Sequence, residues 1–198
     1  MSGRTLHSKS LLLVGHLALY NFYIRTSDRL TCSLVGNHDL SLDRNYDIKH
    51  PEGWTVPPER ALECRELMSN TSTITYLQHE SATLRVPGTN TDIRVFGSPH
   101  SPDRGKQNWA FQYPPERARS QWDAIPTQAV DVVITHTPLS GHRDASEHWR
   151  EGGCPALRAA LWRARPLLHV CGHCHEGRGA EVVRCSDDVE SEVESVRS

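Results

Sequence analysis

The chain has 198 residues, which suits one domain with a hydrophobic core and is too short for two full-sized domains. Hydrophobic residues make up 37% of it and the formal net charge is -2, with a mean hydropathy of -0.55. A balance this close to neutral argues against a nucleic-acid surface or an anionic membrane as the main partner. The modest hydrophobic fraction predicts that part of the chain lies outside the core.

The first apolar run, residues 11–20, follows the basic residues Arg4 and Lys9 and loosely imitates a signal peptide. No small-x-small cleavage site follows it, and His16 interrupts a stretch too short to cross a bilayer. A buried strand is therefore the favoured interpretation. The six scattered cysteines are typical of an intracellular protein with reduced thiols, so we expect a cytoplasmic location.

Strands and helices are then predicted in alternation, which favours a layered α/β domain. Each of the three predicted helices begins with proline, which suits the first helical turn. The helices are expected at 57–69, from 114 to 122 and at 155–164, and the strands at 30–35, 73–77, 82–86, 92–96, 131–135, 167–171 and 181–184. We divide the chain into a divergent N-terminal segment (1–30), the domain itself (31–184) and an acidic, disordered tail (185–198).

Three histidine-bearing turns follow strand-like runs, and these turns are the main evidence in the sequence for a function. They are Gly36-Asn37-His38-Asp39, Thr135-His136-Thr137 and Cys171-Gly172-His173-Cys174-His175-Glu176-Gly177. Ligand sites of α/β sheets gather at the carboxyl ends of strands, so these turns can converge on one site. Imidazole and amide oxygen suit Mn, Fe or Zn, and such ions neutralise phosphate and lower the pKa of bound water.

Individual roles follow from this placement. His173 and His175 are two residues apart, so on extended backbone both rings point to the same side. His38 is placed to protonate a leaving alkoxide as general acid. His142 lies near His136 in sequence and is a candidate for the substrate side, as is Trp109, although the other aromatic residues are expected in the core.

These motifs resemble the calcineurin-like metallophosphoesterases, over about residues 34–184. The closest resemblance is to the branch of vertebrate metallophosphoesterase-domain proteins and their fungal relatives. It is carried by Gly97-Ser98-Pro99, Asn108-Trp109-Ala110-Phe111, Thr135-His136-Thr137-Pro138 and Gly172-His173-Cys174-His175-Glu176-Gly177.

The resemblance implies a four-layer α/β/β/α sandwich, here expected to be incomplete at its N-terminal end, with a two-metal phosphodiesterase site. By that resemblance Asn37, His136 and His173 bind one metal and His175 binds the other. His38 then contacts the phosphate and protonates the leaving group. The expected partner is a small phosphate ester, with no nucleic acid and no membrane.

The chain departs from the family pattern at its beginning. The family's Asp-x-His motif is absent before Gly36, and His16 stands where the Gly-Asp motif would place its bridging carboxylate. Asp28 is the only acidic residue before Asp39. We therefore expect a single metal held by neutral ligands, reduced activity, and a chain that is a truncated or misassembled member of the family.

Two alternatives remain open. One is a non-catalytic remnant that binds phosphate or nucleotide through His38, Asn37 and one metal. The other is an interaction module held by structural zinc at Cys171, Cys174 and nearby histidines.

Overall fold

The structure is a computed structural model that describes most of the chain. The described residues are 9–14, 22–25, 31–51, 56–70, 74–86, 88–105, 108–127, 129–148, 152–185 and 190–196. For residues 9–14, 22–25, 31, 47, 184–185 and 190–196 the description is of the backbone alone. His16 and Asp28, which bear on the missing carboxylate motifs, lie outside the described residues.

Twelve strands and four α-helices are described, together with three 3-10 helices of three residues each. The strands are β1 (Lys9–Val14), β2 (Phe22–Arg25), β3 (Thr31–Leu34), β4 (Ile74–Tyr76), β5 (Glu80–Arg85), β6 (Asp92–Ser98), β7 (Ser101–Pro102), β8 (Gln112–Tyr113), β9 (Val132–Thr135), β10 (Leu168–Cys171), β11 (Gly179–Cys185) and β12 (Glu190–Val196). The helices are α1 (Tyr46–Lys49), α2 (Pro58–Ser69), α3 (Ala118–Trp122) and α4 (Pro155–Ala164).

Local chemistry explains the ends of α4. The side chain of Cys154, the N-cap residue, accepts from the backbone N–H of Leu157, and Pro155 occupies the first helical position. At the other end Arg165 adopts a left-handed conformation with φ 50°, directly before Pro166, which disfavours helical backbone in the residue preceding it. The helix therefore ends where the sequence predicts.

The strands form one large sheet and two small ones. The seven-stranded sheet has the order β12-β11-β1-β10-β9-β6-β5, in which β1, β10, β9 and β6 run parallel to one another. A three-stranded sheet has the order β2-β3-β4, and β7 pairs with β8. The segment 1–30 thus supplies strands to both larger sheets.

Buried side chains define the layers. Successive residues of β9 point to opposite faces of the large sheet, so Val133 packs in a cluster with α3 and α4 while Ile134 packs in another cluster with β3 of the small sheet. A third cluster joins α2 and the end of β3, through side chains that include Val35 and Met68. The chain has a mixed α/β fold, and this order of layers is compatible with the α/β/β/α sandwich.

The acidic tail differs from the sequence expectation. Disorder is predicted from residue 185 onward, but Glu190–Val196 forms strand β12 at the edge of the large sheet. It pairs antiparallel with β11, with Val193 opposite Val183. An edge strand needs backbone hydrogen bonds on one side only, and it tolerates charged residues well, so composition alone misjudges this segment.

Candidate metal centre

Three parallel strands of the large sheet bring their carboxyl ends to one place. Beyond the last residue of β9, the backbone N–H of His136 donates to the carbonyl of Ser98 at 3.0 Å, and its carbonyl accepts from Gly172 at 3.1 Å. These two bonds continue the ladder between β6, β9 and β10 past the strand ends. His136 and the turn that carries His173 are therefore held side by side.

Two hydrogen bonds between Gly36 and Asp39 close the turn 36–39 and so fix the positions of Asn37 and His38. The backbone N–H of Asp39 donates to the carbonyl of Gly36 at 3.1 Å, and the carboxylate of Asp39 accepts from the N–H of Gly36 at 2.7 Å. Burial raises the pKa of Asp39 to about 6. The carbonyl of Asn37 in turn accepts from Ala110 at 2.9 Å, so a second loop supports the turn.

Three candidate donor atoms converge here. Asn37 Oδ1 lies 2.6 Å from His136 Nε2, and His173 Nδ1 lies 3.0 Å from the same nitrogen. Asn37 is 4% exposed, and the rings of His136 and His173 stand edge to face with centroids 4.7 Å apart. The structure thus brings together three predicted ligands, of which Asn37 and His136 are 99 residues apart in the chain and His136 and His173 are 37 apart.

Gly36 provides the room for the His136 ring. A Cβ built on Gly36 would lie 2.5 Å from His136 Nδ1 and 2.9 Å from Nε2. An imidazole ring cannot bend out of the way as a flexible chain end can, so glycine is required by this contact rather than by backbone conformation.

Both histidines of the group are held in the neutral form. Burial lowers the pKa of His136, with His173 as the next cause. Burial, followed by the positive charge of Arg104, lowers the pKa of His173 to about 4. A neutral imidazole keeps a lone pair for a metal, so the environment favours the ligating form of each ring.

His38 and Trp109 form the open flank of the group. The ring of His38 is exposed and lies 4.2 Å from that of Trp109, centroid to centroid. Loss of solvation and the charge of His175 lower the pKa of His38. His175 is itself exposed and near enough to act electrostatically on His38, His136 and His173.

The sequence suggests His142 as a candidate for the substrate side, but the structure buries its side chain beside β11. It is 3% exposed, and its Nδ1 lies 3.0 Å from Glu181 Oε2 of β11. Arg143, the next residue, forms an ion pair with Glu181 and donates to the carbonyl of Ala180. Both residues tie the 139–144 loop to β11, so we do not include them among the proposed substrate contacts.

Sequence reasoning missed Arg104. It lies in a Ser-Pro-Asp-Arg-Gly loop after β7 with no motif to mark it, yet its charge acts on both His173 and Cys174. The only signal in the sequence is its place between two motifs of the resemblance, which is too weak to single it out.

The donor chemistry fits one divalent ion. Ligands about 2.1 Å from a metal are about 3 Å apart at right angles, close to the separations of Asn37, His136 and His173. The group has no carboxylate, and the described part of the chain contains no cluster of three or more His, Cys, Asp or Glu side chains that could hold a metal. A carboxylate-bridged pair of ions therefore does not fit the described residues.

Part of the chain is similar in sequence to several known proteins. "Metallophosphoesterase domain-containing protein 1" of Homo sapiens is 32% identical over 157 residues, covering 74% of this chain and 44% of that protein. The chain is homologous to metallophosphoesterase-domain proteins. A UPF0046 protein of Caenorhabditis elegans is 39% identical over 89 residues, which is 44% of this chain and 22% of that protein. No family model matches the chain.

A third relative carries a different name. "Probable rhamnogalacturonate lyase C" of Emericella nidulans is 38% identical over 152 residues, covering 76% of this chain but 13% of that protein. The chain spans less than half the length of each of these relatives. Within the described residues, no helix is long and apolar enough to cross a membrane.

Proposed function

We propose that this chain belongs to the metallophosphoesterase family and is a metal-dependent hydrolase of phosphate esters, with phosphodiesters as its substrates. The observation that carries the proposal is the convergence of Asn37 Oδ1, His136 Nε2 and His173 Nδ1 within 2.6 and 3.0 Å. Homology to a metallophosphoesterase-domain protein over 74% of the chain supports it.

Asn37, His136 and His173 are the proposed ligands of one divalent cation, Mn, Fe or Zn. Such an ion, when bound, supplies charge neutralisation of the phosphate and a water of lowered pKa. The three ligands are neutral, so the ligand set itself adds no negative charge to oppose an anionic substrate. A site without carboxylates holds its ion weakly, and for this reason we expect modest activity.

His38 is the proposed general acid. Its ring is exposed beside Trp109, where it can reach a leaving oxygen. Because its pKa is lowered, the His38 ring is mostly neutral near pH 7 in the substrate-free protein. A phosphate anion close to the ring favours the protonated form. Proton donation is thus linked to the arrival of the substrate, and Trp109 restricts where the ring can turn.

The second candidate is a phosphate-binding protein without catalytic activity. It is favoured by one observation, the lack of a carboxylate in the described donor group. The structural-zinc alternative gains no support, since the described residues contain no group of three or more His, Cys, Asp or Glu side chains placed to hold a metal ion. The lyase name gives none either, because the shared segment is 13% of that protein.

The test is hydrolysis of bis(p-nitrophenyl) phosphate by chelator-treated protein supplied with Mn²⁺. We expect metal-dependent release of nitrophenol, and His38→Ala should lower kcat by about a hundredfold or more because the leaving group loses its acid. The matched control is His148→Ala, which removes an exposed histidine on a different loop. Stoichiometric Mn²⁺ binding with no turnover would instead favour the non-catalytic candidate.

A further inference from the structure

The strand that leads to His136 ends in a buried hydroxyl. Thr135 is the last residue of β9, and its Oγ1 donates to the carbonyl of Thr137 at 2.6 Å. This bond spans His136, the residue between the two threonines, and closes a small ring of side chain and backbone around it. Both threonines are buried. The ring restricts the backbone angles of His136 and therefore the direction in which its imidazole leaves the chain.

A second strand holds this hydroxyl in place. His169 lies on β10, and its Nε2 is 2.8 Å from Thr135 Oγ1. The single hydrogen of the hydroxyl points to the carbonyl of Thr137, so the imidazole is the donor of this bond. The same strand β10 leads to His173. The bond from His169 therefore joins the two strands that deliver the two histidine ligands.

The surroundings of His169 argue for a role in geometry. Its side chain is buried, and its Nδ1 has no hydrogen-bond partner among the described residues. A buried imidazole that forms one bond in place of two costs stability relative to an apolar side chain. What His169 supplies is thus the orientation of the Thr135 hydroxyl.

This hydroxyl lies on the face of the large sheet opposite the candidate centre. Thr135 and Val133 are two residues apart on β9, so their side chains point to the same face, which α3 and α4 cover. The ring of His136 lies against Gly36, in the turn that follows β3 of the small sheet. Thr135 can therefore affect a bound cation only through the position of His136.

We propose that Thr135 and His169 are positioning residues of the candidate metal centre. The hydroxyl of Thr135, held by His169, sets the position of His136 relative to the other two ligands. The proposal rests on the proposed function, because it concerns the same centre. Groups that hold a metal ligand in place typically contribute about 10- to 100-fold to metal affinity without contacting the ion.

The test removes the hydroxyl while keeping the shape of the side chain. Chelator-treated Thr135→Val is titrated with Mn²⁺ by calorimetry, and we expect affinity to fall by about 10- to 100-fold because His136 is no longer held. Thr135→Ser keeps the hydroxyl and should restore affinity to within a few-fold of the unaltered protein. His169→Gln keeps a donor and should also bind Mn²⁺, whereas His169→Leu should behave as Thr135→Val.

A control and a spectrum separate positioning from loss of stability. Val133→Ala removes buried volume from the same face of the same strand and lowers stability by leaving a cavity. It should leave Mn²⁺ affinity unchanged at a temperature at which every variant is folded. The visible absorption spectrum of the Co²⁺-saturated protein reports ligand geometry. It should change in Thr135→Val and return in Thr135→Ser.

Four results would each overturn the proposal. They are unchanged Mn²⁺ affinity or an unchanged Co²⁺ spectrum in Thr135→Val, an equal loss of affinity in Val133→Ala, no recovery in Thr135→Ser, and no Mn²⁺ binding by the unaltered protein. If Thr135→Val does not fold, equal affinities in His169→Leu and His169→Gln would overturn it. Failure of the proposed function has a different signature, in which metal affinity depends on Thr135 while no phosphate ester is hydrolysed.

Discussion

At the scale of single residues, a buried hydrogen-bond chain fixes the protonation of His169. Thr135 Oγ1 donates to the carbonyl of Thr137 at 2.6 Å, so it accepts from His169 Nε2 at 2.8 Å. The other ring nitrogen, Nδ1, is buried with no hydrogen-bond partner among the described residues. Protonating it would bury an unsatisfied N–H, and the pKa of His169 is accordingly lowered to about 3, with burial as the first cause.

This arrangement makes stability depend on pH. His169 and His100 have pKa values of about 3, and those of His136 and His173 are also lowered, so the unfolded chain binds more protons than the folded one below about pH 6.5. Stability is therefore lost as the pH falls from about 6.5 toward 4. The pKa of Asp39 is raised to about 6, and this single group opposes the trend set by the histidines.

His169→Gln should flatten this dependence. The amide of glutamine can still donate to Thr135 but does not titrate, so we expect the slope of the unfolding free energy to fall by up to about 1.4 kcal/mol per pH unit. Urea denaturation between about pH 7 and about pH 5 measures it. His148→Gln, on an exposed loop, is the control, and an equal slope in both variants would refute the account of His169.

At the scale of elements, Gly36 and Gly172 each directly precede a proposed ligand, but they have different structural roles. Gly36 lies under the His136 ring, whereas a Cβ at Gly172 would meet its nearest atom, the carbonyl oxygen of His136, at an ordinary 3.8 Å. Neither glycine has the positive φ that would strain a substitution by itself. The pair therefore isolates the effect of contact with the ring.

Gly36→Ala should displace His136 from Asn37 and weaken Mn²⁺ binding by about tenfold or more, with a loss of stability of about 1–3 kcal/mol from overpacking. Gly172→Ala should leave both quantities near those of the unaltered protein. Calorimetric Mn²⁺ titration and thermal unfolding provide the two readouts. Equal behaviour of the two variants would contradict the packing that we describe.

Much of the element order follows from sequence because the signals are local. Proline at the first turn and before the following strand defines α4, and the β-branched run before His136 defines β9. The convergence of Asn37, His136 and His173 follows from a general rule about strand ends. The ligand roles themselves remain predictions until a metal is measured.

Other features escaped prediction because they depend on long-range packing. The carbonyl of Arg143 packs on Gly177 so closely that a Cβ there would overlap it. The neighbouring residue His142 lies in the interior beside Glu181. Arg104 reaches Gly152 across 48 residues of sequence. No spacing or periodicity in the sequence encodes such contacts. The edge strand β12 could not be predicted for the same reason, because it depends on pairing with β11.

At the scale of the whole molecule, the candidate centre joins two layers. Asn37 follows β3 of the small sheet, whereas His136 and His173 follow β9 and β10 of the large sheet. The donors meet only when the sheets pack through the cluster that includes Leu34 and Ile134. Metal binding should therefore stabilise the folded chain, because an ion that binds only the folded state shifts the folding equilibrium.

The most direct measurement is titration of the chelator-treated protein with Mn²⁺, monitored by calorimetry, for the unaltered chain and for Asn37→Ala, His136→Ala and His148→Ala. The account predicts one ion per chain, with binding lost or weakened by about tenfold or more in the first two variants and unchanged in the third. Equal Mn²⁺ affinity in His136→Ala and His148→Ala, or no binding by the unaltered chain, would contradict it.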